Sequence, residues 1–143
     1  MNEPLPAWAE ELLRSARVGR LGTADAGGRP LVVPVCYAYD GRACYSAIDA
    51  KPKRTRSGLR RLRNIAENPR AALVVDHYEE EWTRLRYVIV EGTASILTEG
   101  PELARGIDLL LAKYEQYQAL GLTSDGGTVI RLAAERIVAW RYA

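Results

Sequence analysis

The chain has 143 residues, the length of one domain. Hydrophobic residues make up 48% and charged residues 27%, the balance of a folded globular chain, which excludes a disordered one. The net charge is only +2, two cysteines are too few for a disulfide scaffold, and two cysteines with one histidine do not make an ordinary zinc site.

Pro6 to Arg17 predicts a first helix. Leu12, Leu13 and Ala16 recur at helical spacing, Glu10 and Glu11 lie near its N-terminal end, and Gly19 ends it. Glu3, Glu10 and Glu11 and the lack of an apolar block distinguish Met1 to Arg14 from a secretory signal, and no apolar run approaches the ~20 residues of a spanning helix. The expectation is a cytoplasmic protein with a single domain over 1–143.

The pattern then changes to period two. Val18 to Thr23 reads as a strand, Asp25-Ala26-Gly27-Gly28 as a turn, and Leu31 to Tyr39 as one long strand. Pro34 cannot donate to a ladder, which places that run at a sheet edge or a bulge. Asp40-Gly41 is a hairpin turn and Arg42 to Ile48 the return strand. A two-residue turn pairs Tyr39 with Arg42, so Cys36 opposes Tyr45 and Cys44 opposes Tyr37. The two thiols then point to opposite faces and form no disulfide; a three-residue loop would reverse that parity.

Lys51 to Arg63 holds seven bases and no acid, so the other 130 residues carry 13 bases against 18 acids. Positive charge concentrated this way fits a small anion better than a long polyanion. Lys51-Pro52-Lys53-Arg54 follows a strand directly and matches a phosphate site, with a solvated basic loop as the other reading. Ser57 reads as the N-cap of a short helix with Leu59, Leu62 and Ile65 on one stripe, stopped by Asn68-Pro69. The segment contains no aromatic residue to stack on bases, which argues against nucleic acid.

Ala71 to Asp76 reads as a buried strand and His77 to Trp82 as an acidic loop. In that setting His77 reads as a solvated histidine before a general base, and Glu79 to Glu81 as a solvated run before a metal site. Trp82 is either a packing residue or the flank of an aromatic cofactor; Trp8 and Trp140 read as packing residues. Leu85 to Leu97 is a long strand with Gly92 a bulge or a point of close approach. Gly100-Pro101 opens a helix carrying Leu103, Ile107, Leu110, Leu111 and Tyr114, closed by Gly121. After a loop at Thr123 to Gly127, Thr128 to Leu132 and Arg136 to Tyr142 read as two final strands.

Six or seven strands, a tight hairpin and no βαβ alternation give a mainly β (α+β) fold, an antiparallel barrel with about three helices. No nucleophile elbow, P-loop or three-glycine dinucleotide motif is present. If the chain is an enzyme, a cofactor carries the hard chemistry.

The order of segments Arg17-Val18-Gly19-Arg20-Leu21-Gly22-Thr23, Gly28-Arg29-Pro30, Tyr39-Asp40-Gly41, Lys51-Pro52-Lys53-Arg54, Asn68-Pro69-Arg70-Ala71, Trp82 to Val88 and Glu91-Gly92-Thr93-Ala94 resembles the pyridoxamine 5'-phosphate oxidase-like split β-barrel superfamily of flavin and deazaflavin oxidoreductases. Within it the chain is most similar to the coenzyme F420-dependent subgroup. The resemblance implies an FMN-binding-protein-like split barrel and a homodimer with the cofactor between the barrels. It places the cofactor phosphate at Lys51, Lys53 and Arg54, the ring along Val33, Pro34 and Val35 with Ser46 and Ala47, and Tyr87 and Trp82 near the ring. It implies hydride transfer from reduced F420 to a small organic acceptor, with no nucleic acid and no membrane involved. The alternatives are an FMN-dependent oxidase or reductase and a barrel that binds a cofactor or haem without turnover.

Overall fold

The computed structural model describes residues 4–48, 56–123 and 127–142, with side chains in the second segment from residue 60 onward. One seven-stranded antiparallel sheet curls on itself in the order β2-β1-β5-β6-β7-β4-β3, a mainly β, α+β fold. Its strands are β1 Gly19–Ala24, β2 Pro30–Val35, β3 Ala38–Tyr39, β4 Ala43–Ile48, β5 Arg70–His77, β6 Arg86–Leu97 and β7 Thr128–Arg141. The helices are α1 Ala7–Ser15, α2 Arg56–Glu67, α3 Pro101–Lys113 and α4 Glu115–Ala119, with a 3-10 turn at Trp82–Arg84.

Alternation sorts the side chains. Leu21, Val33, Val35, Leu73, Val75, Val88, Val90, Ile130 and Leu132 face inward and form one core with Leu12 and Leu13 of α1 and Ile65 of α2. Burying such side chains is worth about 1.5–3 kcal/mol each. On the other face, Leu103 and Ile107 of α3 pack on Tyr45 and Val129. Gly106 of α3 sits on the Tyr45 ring, where a Cβ would come within 2.8 Å.

Several sequence expectations are corrected by tertiary structure. The first helix ends at Ser15, because Ala16 is already extended, and Gly19 begins β1 instead of ending α1. The run from Leu31 to Tyr39 is two strands at opposite edges of the sheet, joined through Cys36 and Tyr37. Pro34 lies on edge strand β2, as its missing donor requires.

The hairpin pairs Tyr39 with Cys44 and Ala38 with Tyr45, a loop two residues longer than read from Asp40-Gly41. The Asp40 carboxylate accepts the N–H groups of Arg42 and Ala43 at 2.8 Å and holds the wider loop open. The cysteines are free: Cys44 lies in the core, and Cys36 packs on the side of Leu110 and Tyr114.

Ser57 lies inside α2 and not at its cap. His77 is the last residue of β5, not a loop residue. The helix read to Gly121 breaks at Tyr114, whose hydroxyl lies 2.9 Å from the carbonyl of Arg17 and accepts the N–H of Tyr37 at 3.1 Å. The two final strands are one continuous β7 with a register shift opposite Glu91 and Gly92, a bulge of the kind Gly92 signalled.

Candidate functional site

Seven strands leave two open edges. β2 is one edge; at the other, β3 covers β4 only at Cys44 and Tyr45, so Ser46 to Ile48 carry an unpaired backbone edge among the described residues. The expected ring contacts Val33, Pro34 and Val35 therefore lie on one open edge, and Ser46 and Ala47 on the other.

Their side chains are divided. Val33, Val35 and Ser46 point into the barrel, and Ser46 lines an internal void with Tyr37, Cys44 and Leu132. Pro34 points outward, and Ala47 packs under α3 beside Leu109 and Leu122. The side chains of Val33, Val35 and Ser46 are therefore turned away from a ligand outside the barrel. Lys51, Lys53 and Arg54 lie outside the described residues.

The outward face is half covered. α3 covers the part built by β4 and the start of β7. The remainder carries Val32 and Pro34 of β2, Val74 of β5, Tyr87 and Ile89 of β6 and Val138 and Trp140 of β7, with the ion pairs Arg20–Asp76 and Arg136–Glu91 on the same face. Tyr87 stacks on Trp140 at 5.4 Å. Val32 is 65% exposed and Trp140 40% exposed, so apolar side chains on this face lie uncovered among the described residues. A groove of about 480 Å³ crosses it between Val32, Gly22, Ala72 and Glu91. Trp82 stands apart from this stack; it is 59% exposed and its indole N–H donates to the Tyr78 hydroxyl at 3.4 Å.

α2 leads from the basic segment to this groove. Arg60 donates to the carbonyl of Pro30 at 3.3 Å. Arg61 carries a buried Nε with no hydrogen-bond partner, and burial lowers its pKa. An unpaired buried guanidinium nitrogen fits a chain that receives an anionic group.

Two features were not legible as functional in the sequence. Lys113 donates to the carbonyls of Ala16 at 2.7 Å and Tyr37 at 3.0 Å, and burial, then the charge of Arg17, brings its pKa down to about 8. Burial pushes the Cys44 thiol up to about 12, which keeps it an inert core residue. The second feature is a cleft of about 610 Å³ at the end of β5, β6 and β7, lined by His77, Glu79, Thr83, Arg84, Arg86 and Arg141 among others. Arg86 and Arg141 are far apart in sequence and meet only through strand register. Among the described residues no three His, Cys, Asp or Glu side chains are grouped to hold a metal.

Comparison with known proteins agrees with this architecture. Over 89 residues, 62% of the chain, it is 36% identical to 5a,11a-dehydrotetracycline/5a,11a-dehydrooxytetracycline reductase of Streptomyces rimosus. That match spans 61% of the relative's own length. The fold is shared with a protein solved as an F420 reductase, at a TM-score of 0.64 and 22% identity, covering 94% of this chain and 98% of that one. It is also shared with HutZ, the heme storage protein of Vibrio cholerae, at a TM-score of 0.68 and 18% identity, covering 95% and 94%. The sequence profile described as pyridoxamine 5'-phosphate oxidase matches residues 5–141. With the curled antiparallel sheet, that match makes the chain a member of the pyridoxamine 5'-phosphate oxidase family of flavin and deazaflavin split-barrel proteins.

Proposed function

We propose that this chain is an oxidoreductase that binds a deazaflavin of the F420 type between two copies of itself and passes hydride to a small organic acceptor with an activated double bond. The identity to a dehydrotetracycline reductase carries the reading. The reduced ring supplies the hydride; the chain supplies position, charge and a dry surface.

Each part of that work falls to named residues. Lys51, Lys53 and Arg54 hold the phosphate, and Arg61 of α2 offers an unpaired Nε to the same anion. The open backbone edges of Val33 to Val35 and of Ser46 and Ala47 meet the polar rim of the ring. Pro34 offers the open edge of β2 a carbonyl and no donor. Tyr87 and Trp82 flank the ring. The uncovered face from Val32 to Trp140 receives the second copy, which excludes water from the groove.

The deciding experiment is a fluorescence titration of cofactor-free protein with F420 and with FMN at fixed salt. Saturable F420 binding at least tenfold tighter than FMN supports the reading. Tight FMN binding moves the protein to the flavin branch. Binding of neither removes the oxidoreductase reading and makes haem the next ligand to titrate.

A further inference from the structure

The cleft at the end of the sheet holds an unusual pairing. His77 opposes Arg86 across β5 and β6, and Arg86 opposes Arg141 across β6 and β7. All three continue the inward row of Val75, Val88 and Ala139, at the point where the barrel ends. Like charges directly opposed on one sheet face destabilise it. The other sheet arginines are answered: Arg20 by Asp76, Arg70 by Glu135, Arg131 by Glu102 and Arg136 by Glu91. Arg86 and Arg141 have no such partner among the described residues, and Nε of Arg86 is buried without a hydrogen bond. The one carboxylate lining the cleft, Glu79, is engaged by His77 at 2.5 Å and by Arg84 at 3.8 Å. Arg141 lies over the Trp8 ring at 5.4 Å, which orients its guanidinium before any ligand arrives.

We propose that this cleft is a binding site for a small organic anion, held through a carboxylate or phosphate group by Arg84, Arg86 and Arg141. Two guanidinium forks on adjacent strands suit a planar or tetrahedral oxyanion, and the anion removes the repulsion between them. The volume of about 610 Å³ lies in the range of small-molecule sites and leaves room for an organic body beside the oxyanion. Thr83 and Tyr142 offer that body a hydroxyl and an aromatic wall. The site is separate from the described end of β4. β4 ends at Ile48 opposite Thr128, and Arg141 lies at the far end of β7, about 40 Å along the strand. The inference therefore stands whether or not F420 is the cofactor.

The test is calorimetry and thermal unfolding of the full chain with glutarate and with glycerol 3-phosphate, against potassium chloride at equal ionic strength. The expected result is saturable binding at roughly millimolar or lower concentration and a Tm rise that chloride does not reproduce. The probe that binds more tightly identifies the carboxylate or the phosphate class. Arg141→Gln is expected to weaken binding by about tenfold or more, the loss of one charge-assisted contact. Its ligand-free Tm is expected to equal or exceed that of the wild type, because a like-charge pair is gone. Arg86→Lys keeps the charge but removes the fork, and is expected to bind more weakly as well. Absence of saturation by either probe at 10 mM (on the order of −3 kcal/mol), or unchanged affinity in Arg141→Gln, overturns the proposal.

Discussion

A Cβ placed on Gly92 would lie 1.7 Å from the carbonyl oxygen of Ala133 on the neighbouring strand. No side-chain motion relieves that contact, because the atom met is backbone. Gly92→Ala is therefore expected to cost about 3 kcal/mol or more, at the upper end of overpacking penalties. That corresponds to a Tm drop on the order of 10 °C in calorimetry. A change within 2 °C would show that the bulge can shift without cost.

Lys113 sets a pH dependence. Its folded pKa of about 8 lies below the ordinary 10.5, so between those values the unfolded chain binds the extra proton. Stability from this group is expected to rise as pH increases through 8 and to level off near 10.5. Burial raises Tyr37, Tyr39 and Tyr114, which oppose the rise only above pH 10. The chain has three lysines, at 51, 53 and 113, so a carbon NMR titration is expected to show one side chain titrating near 8. Persistence of that signal in Lys113→Met would refute the assignment.

The uncovered face predicts self-association. Trp140→Lys and Val32→Asp place charges on exposed positions, so the barrel itself is expected to stay folded, with an unchanged far-UV spectrum. Light scattering is expected to give a dimer for the wild type and at least tenfold weaker association for either variant. A wild-type monomer at micromolar concentration would remove the two-barrel groove.

Lys53→Ala is expected to weaken F420 binding about tenfold to a hundredfold, the loss of one charge-assisted phosphate contact. The Tm of the ligand-free protein is expected to stay unchanged. Wild-type affinity in this variant would move the phosphate away from the segment after β4.

The parts of the fold legible in the sequence are those set by local chemistry. Val32 to Val35, Leu73 to Val75 and Val88 to Val90 announce strands by their side chains, and Gly100-Pro101 announces α3. What was not legible depends on partners distant in sequence. The break at Tyr114 follows from a hydroxyl that reaches Arg17 and Tyr37. β7 reads as two strands because Glu135 and Arg136 interrupt its apolar pattern, and their place opposite the Gly92 bulge appears only with pairing. The same holds for the candidate sites. A run of bases at Lys51 to Arg63 is visible by composition, whereas Arg86 and Arg141 are 55 positions apart and become neighbours through strand register.

The sheet order has a consequence for synthesis. β7 is the last strand of this sheet to be synthesised, yet it stands between β6 and β4. Until it emerges, the β3–β4 hairpin has no strand to dock on, and β6 exposes a long unpaired edge. A nascent chain must hold that edge free of other polypeptides for as long as translation of α3 and α4 takes. Slowing elongation across those two helices would lengthen the interval in which the half-built sheet can pair with the wrong molecule.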